Sequence, residues 1–318
     1  MNQARKNIQK KNSEIVAILN APTLNELVSI KASQAPNRIN PLLNDEATFE
    51  LKTGLLFVEN YLNQHCFKVC VMKMLDFLTI KLAEKNQYKV SEKKKINPNI
   101  QFSIEEYAIL LGKVNPRSAS TKKNVRRVIN QTLDIIYNFS LETEEKRGAE
   151  IVRFKKMRIC QSYECENSVF TFTFTEIFAR YLLSAYIMQY PISLLKLDER
   201  NSNAYVIGRK LALHQSISNN IKKGTHKIIS VESLLNIAPD IPNIETVRIG
   251  NGAWTERIAD KLEKVLDLLV EHKIIEKWNY CNSKGLELSD EQLDNFGSYH
   301  IFKESKIKFS LYGLASFD

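Results

Sequence analysis

Between Ser103 and Phe174 the spacing of apolar residues changes period, and that change constrains the fold more than any other feature of the chain. QFSIEEYAILLG sets Ser103 and Glu106 in the S-x-x-E arrangement that satisfies free amides at a helix start, so a short helix is expected up to Gly112. After the turn KVNPRSAS a longer helix is expected from Ser120 or Thr121, because Val125, Val128, Ile129, Thr132, Ile136 and Phe139 recur at helical spacing. The period then drops to two. VFTFTFT alternates Phe170, Phe172 and Phe174, the pattern of a half-buried strand, and with IVRFKKMRICQSYE before the turn CENS it predicts a β-hairpin. Upstream, Leu55 to Asn63 and Phe67 to Ala83 carry apolar residues at helical spacing, so helix precedes the capped segment.

The order helix, capped short helix, longer helix, hairpin is that of a winged helix, and it returns later in the chain. Residues 202 to 218 read as a helix, KIISVESLLNIAP as a strand-like entry with a short helix, and TERIADKLEKVLDLLVE as a long helix. IIEKWNY and KIKFSLYG supply the final strands, interrupted by an insertion at 281–305. FSIEEYAILLG aligns with ISVESLLNIAP, and VRRVINQTLDII aligns with IADKLEKVLDLL when Asp134 is laid on Asp267. Two matches in the same order favour a duplication. The expected class is therefore α+β, mostly helical, with two tandem winged-helix domains related by a pseudo-repeat. A length of 318 residues agrees with two domains of about 150 residues each. The expected boundaries are an N-terminal arm or linker at 1–45, a first domain at 46–195 and a second at 196–318. The arm is polar and carries Pro22, Pro36 and Pro41, with one short apolar patch from Ile15 to Leu27.

An apolar fraction of 44% and a charged fraction of 25% exclude disordered, collagen-like and coiled-coil chains. The N-terminus has no apolar stretch behind its basic residues, so no secretory signal is expected. Phe178 to Leu195, the most apolar stretch, is too broken by Arg180, Gln189 and Pro191 to cross a bilayer. Five cysteines, an odd number, suit reduced thiols. A cytoplasmic chain without a membrane partner is expected. Its net charge of +9 favours a polyanion, and the placement of the charge decides which.

That charge concentrates between Lys113 and Arg127, where Lys113, Arg117, Lys122, Lys123, Arg126 and Arg127 stand without one acidic residue. Since Val125, Val128 and Ile129 face the core, Lys122, Lys123, Arg126, Arg127 and Asn130 fall on the outward side. Ser118, Ser120 and Thr121 stand at the helix start, where hydroxyls and free amides hold a phosphate. Arg and Asn on the second helix of a helix-turn-helix suit guanine and adenine edges in the major groove, so double-stranded DNA is the expected partner. A second patch, Asn201 to Ser230, holds Arg209, Lys210, Lys222, Lys223 and Lys227, and its loop NNIKKGTHK suits phosphate contact. In the second long helix Arg257, Lys261 and Lys264 line one stripe, while Glu256, Asp260, Glu263 and Asp267 line another. Its start, with Arg248, Asn251, Thr255, Arg257 and Lys261, is the part expected at DNA. A third cluster, Arg153, Lys155, Lys156 and Arg158, is expected on the first strand of the hairpin, whose turn carries Glu164 and Glu166.

No G-x-x-x-x-G-K-[ST] loop occurs, and no His-x-His pair exists among His65, His214, His226, His272 and His300. Cys66 and Cys70 beside His65 sit four apart on an apolar stretch and read as core thiols, and Cys160 and Cys165 lack C-x-x-C spacing. No enzyme, metal or cofactor is expected.

The basic helix STKKNVRRVINQTL, the strand segment FKKMRIC and the helix TEIFARYLLSAYIMQYP before the second unit resemble the replication initiator (Rep) proteins of iteron-containing, theta-replicating plasmids, over about Leu51 to Leu311. The resemblance implies binding of directly repeated origin sequences through both units, help in melting the neighbouring duplex, and recruitment of a host helicase or initiator. It also implies a homodimer formed through the first unit, with origin repeats bound by the monomer. A transcriptional regulator of a mobile element, using the same winged helices, is the competing reading.

Overall fold

The computed structural model describes residues 15–27, 38–40, 46–51, 54–59, 68–88, 95–147, 150–217, 221–222, 224–250, 252–289 and 298–313. These residues form an α+β fold that divides into two compact units, Ala17–Ile187 and Met188–Asp318 together with Met1–Val16.

The chain begins with β1 (Ile15–Asn20) and α1 (Pro22–Leu27), where Ile18, Leu19, Leu24 and Leu27 are buried. Among its described residues the segment expected as an arm holds one short strand and one short helix. Each element is only six residues long, too short to show a period and long enough for one strand and a turn and a half of helix. In the first unit β2 (Arg38–Asn40), β3 (Glu46–Leu51) and β4 (Gly54–Val58) join β6 (Phe139–Arg147) and β7 (Glu150–Arg158) in an antiparallel sheet of order β2-β3-β4-β6-β7. Two corrections follow. Leu55 to Val58, expected as helix, is strand: consecutive apolar residues fit either period, and pairing with β3 and β6 decides between them. FKKMR, expected in the hairpin with VFTFTF, lies in β7 and pairs with β6. The chain changes sheets at buried Ile159, whose N–H donates to the Phe139 carbonyl at 3.2 Å.

The helices and the hairpin that follow keep the order read from the sequence, with a strand absent from that reading entering before the capped helix: α2 (Val69–Lys85), β5 (Asn99–Ser103), α3 (Ile104–Leu110), α4 (Ala119–Tyr137), β8 (Cys160–Glu166) and β9 (Val169–Phe174). Helix α2 is buried on nearly all sides, as an apolar helix at a centre must be. Phe77 meets Phe102 and Tyr107 at centroid distances of 5.0 and 5.1 Å, and Phe102 stacks on Phe170 at 5.7 Å. Ser103 caps α3 by accepting the Glu106 amide at 3.0 Å. The β8–β9 turn needs positive φ at Asn167 and Ser168, 47° and 68°, which fits a two-residue hairpin loop. Helix α5 (Glu176–Ser184) is shorter than expected, because Ala185 is extended and Tyr186 and Ile187 begin β10 (Tyr186–Pro191), which pairs with β1.

The second unit contains α6 (Ser202–Ser216), β11 (Ile228–Ser230), α7 (Val231–Leu235), α8 (Ile244–Ile249), α9 (Asp260–Glu271), β12 (Ile275–Cys281), α10 (Tyr299–Glu304) and β13 (Lys306–Leu311). A single π turn, Thr255–Ala259, leads into α9. Helix α10 lies in the insertion, and α8 is an element the sequence did not announce.

The two units repeat at the level of hydrogen-bond register. Sheet orders are β5-β9-β8 and β11-β13-β12, so in each the first strand pairs with the third and the third with the second. Ser103 faces Val169 as Ser230 faces Lys306. A bulge falls between Cys160 and Ser162 opposite Phe174 and Thr173, and its counterpart falls between Ile275 and Lys277 opposite Leu311 and Ser310. Ile104 N–H donates to the Ser168 carbonyl and Val231 N–H to that of Ser305, both at 3.1 Å. Buried Val125, Ile129, Leu133 and Ile136 of α4 correspond to buried Ile258, Leu262, Leu266 and Leu269, the spacing obtained when Asp134 is laid on Asp267.

Candidate nucleic-acid interface

Helix α4 presents one sharply divided surface. Val125, Ile129, Thr132, Leu133 and Ile136 are buried and Val128 half-buried, while Ser120, Lys123, Asn124, Arg126, Arg127, Asn130 and Gln131 are exposed. The start of the helix is built from hydroxyls. Ser118 Oγ accepts the Thr121 amide at 3.2 Å, donates to Thr121 Oγ1 at 2.8 Å and lies 3.3 Å from Ser120 Oγ. The amides of Ala119 and Ser120 have no intrahelical acceptor and point outward at the positive end of the helix dipole.

The basic side chains divide into two sets. Arg117 Nε donates to Glu105 Oε1 at 2.6 Å, and Lys122 Nζ lies 3.9 Å from Glu105 Oε2. The hydrogen bond from Arg117 holds the Glu105 carboxyl below its usual range. The Arg117 side chain remains 83% exposed, so its pairing is a surface one that a phosphate can replace. Arg126 turns toward the hairpin and donates to Cys165 Sγ at 3.2 Å. Lys123, Arg127 and Asn130 form the outward stripe, with Arg127 donating to Gln131 at 3.3 Å. Asn124 and Gln131 belong to the same exposed surface and were missed by a search for charge alone. Their signal was the helical spacing from Ser120 and Arg127.

The second unit carries mixed charge on the matching surface, with Arg257 and Lys264 standing where the first unit has Asn124 and Gln131. Glu256, Asp260 and Glu263 stand where the first unit has Lys123, Arg127 and Asn130. Burial raises the Glu263 carboxyl above its usual range against the hydrogen bond that Tyr280 donates at 3.0 Å. Of the expected residues here, Thr255, Arg257 and Lys261 are exposed. Arg257 folds over the turn before the helix, since a Cβ at Gly252 would stand 2.7 Å from its Nε. Arg248 pairs with Glu245 at 3.3 Å. Lys222 is exposed and Lys227 half-buried, while Lys223 and Asn251 lie outside the described residues. Arg209 is only 3% exposed, which removes it from the expected phosphate-facing patch.

The third basic cluster is moved by the change of strand: Lys155 and Lys156 stand opposite Thr143 and Glu142 of β6, and Arg158 donates to Glu59 at 2.5 Å. The β8–β9 hairpin keeps Glu164 and Glu166 exposed near its turn. His65 and Cys66 lie outside the described residues. Among the described residues no helix is long and apolar enough to cross a membrane.

No protein-family model matches the chain, and no curated protein matches it. Among solved structures it is similar to a crystal structure of domain 2 and domain 3 of RctB, over 91% of this chain and 98% of that one, at 9% identity and a TM-score of 0.44. A likeness at that level assigns neither fold nor function.

Proposed function

We propose that each unit is a winged helix and that the chain binds double-stranded DNA sequence-specifically, as an initiator of replication at origin repeats and not as an enzyme. The observation that carries DNA binding is the exposed stripe Lys123, Arg127 and Asn130 on a helix whose opposite side is buried and whose start offers hydroxyls and free amides. Lysine and the helix start suit phosphates, whereas Arg127 and Asn130 suit guanine and adenine edges.

The initiator reading is supported by the order of elements and by the pairing of two like units in one chain. Two units with different outward residues make an asymmetric reader, which suits direct repeats better than the palindromes that symmetric dimers read. Footprinting on the DNA flanking the gene tests this: protection of regularly spaced direct repeats is expected, with an affinity that falls steeply with salt. A plasmid carrying the gene and that DNA should then maintain itself. Protection of a single operator without plasmid maintenance would favour the transcriptional regulator, and a salt-independent affinity would remove DNA binding by this helix.

A further inference from the structure

Asp134 continues the outward stripe of Lys123, Arg127 and Asn130, a carboxylate on the surface assigned above to DNA. Left bare, it would repel the phosphates which that stripe attracts. The hairpin supplies a partner. Tyr163 on β8 donates its hydroxyl proton to Asp134 Oδ1, and its ring, half-buried, meets Tyr137 edge-on at 6.0 Å. Burial, and next this hydrogen bond, raise the phenol above its usual pKa, so it remains a proton donor at neutral pH.

The same contact occurs in the second unit with different chemistry. Trp278 Nε1–H donates to Asp267 Oδ1 at 2.9 Å, and Trp278 faces Phe309 in the register in which Tyr163 faces Phe172. Phenol and indole differ in shape and share an aromatic body with a donor at its edge. Packing alone would be satisfied by phenylalanine. What the two units hold in common is the donor aimed at the helix aspartate.

We propose that Tyr163 is a positioning residue for DNA binding: it draws the Asp134 carboxylate toward the hairpin, out of the path of the duplex, and fixes β8 against α4. The proposal rests on the reading of α4 as the DNA-contacting helix.

The test uses the full chain and fluorescence anisotropy on a labelled duplex of the DNA flanking the gene, at low and moderate salt, with thermal melting as the control for folding. Tyr163→Phe should weaken binding about 3- to 10-fold at low salt and less at higher salt, the range expected for one lost hydrogen bond and a freed charge. Tyr163→Trp, which installs the second unit's own residue, should restore affinity. In an Asp134→Asn background, where no charge needs holding, Tyr163→Phe should leave affinity unchanged. An equal loss in both backgrounds, or no rescue by Trp, would make Tyr163 merely structural and overturn the proposal. Wild-type binding that Tyr163→Phe leaves intact would overturn it alone. A wild-type chain that binds no duplex would remove the functional reading, and the proposal with it.

Discussion

Replacing Lys123 by Glu and Arg127 by Asp gives the first unit the residues that the second already holds at the matching positions, Glu256 and Asp260. The structure makes the expected consequences separable. Both side chains are exposed on the side of the helix away from buried Val125, Ile129 and Leu133, and Arg127 gives up a surface hydrogen bond to Gln131. Stability should therefore change by no more than about 0.5 kcal/mol, the usual range for surface substitutions. DNA binding should change far more. The Lys123 phosphate contact is lost, so the slope of log K against log salt should fall by about 1 unit. One bidentate base contact contributes about 1–3 kcal/mol, and with the added repulsion the affinity at moderate salt should drop about 100-fold or more. Anisotropy titrations across a salt series, beside urea unfolding of the same preparations, measure both quantities. A double variant that binds with unchanged affinity and slope would show that α4 does not meet DNA. One that unfolds would show that the outward assignment of these residues is wrong.

Gly208→Ala should destabilise the second unit by about 1–3 kcal/mol in urea unfolding, since the added Cβ would stand 2.6 Å from Leu194 Cδ2 and 3.0 Å from Leu269 Cδ2. A melt indistinguishable from wild type would mean that these leucine ends yield freely. Glu263→Gln should stabilise the chain at neutral pH and lose that advantage near about pH 4. Burial raises the folded-state pKa, with Asp260 and Asp267 adding to the rise, so the folded chain holds this proton more tightly than the unfolded one. The contribution of Glu263 is thus present below the usual carboxylate range and is lost as pH rises through the raised value. An advantage that grows on acidification would reverse the sign of this argument.

Legibility in the sequence followed the strength of local patterns. The segment from Ser103 to Phe174 was readable because a cap, a 3.6-residue period and a two-residue period stand side by side, each specifying one element. The repeat was readable through Asp134 and Asp267, two acids at one distance from matching apolar residues. What escaped had no local signature. The five-stranded sheet joins β2, β3 and β4 to strands about a hundred residues away, and GLLFV contains no polar residue to show an alternation. FKKMRICQSYE looked continuous because a strand that changes sheet keeps its extended backbone, and only the pairing of Ser140 with Arg158 reveals the division. The interface was legible as charge and blurred as geometry: Arg126 and Arg127 are neighbours in sequence, yet one turns to Cys165 and the other outward.

The two units differ where neither packing nor backbone hydrogen bonding constrains the side chain. Register, bulge, the serine cap of the short helix and the four buried positions of the long helix all recur, because each is fixed by packing or by hydrogen bonds that cannot be left unmade. The outward positions carry no such constraint, and there Lys123 and Arg127 answer to Glu256 and Asp260. Exposed Glu256 and Asp260 repel a phosphate backbone, while exposed Arg257, Lys261 and Lys264 on the same helical run attract one. Any contact that the second unit makes with DNA is then favoured at its basic side chains, such as Lys261, Lys264, Lys222 or the Arg257 side chain over its turn. Shared architecture predicts where a partner would sit, and the charge at that place decides whether the partner is DNA.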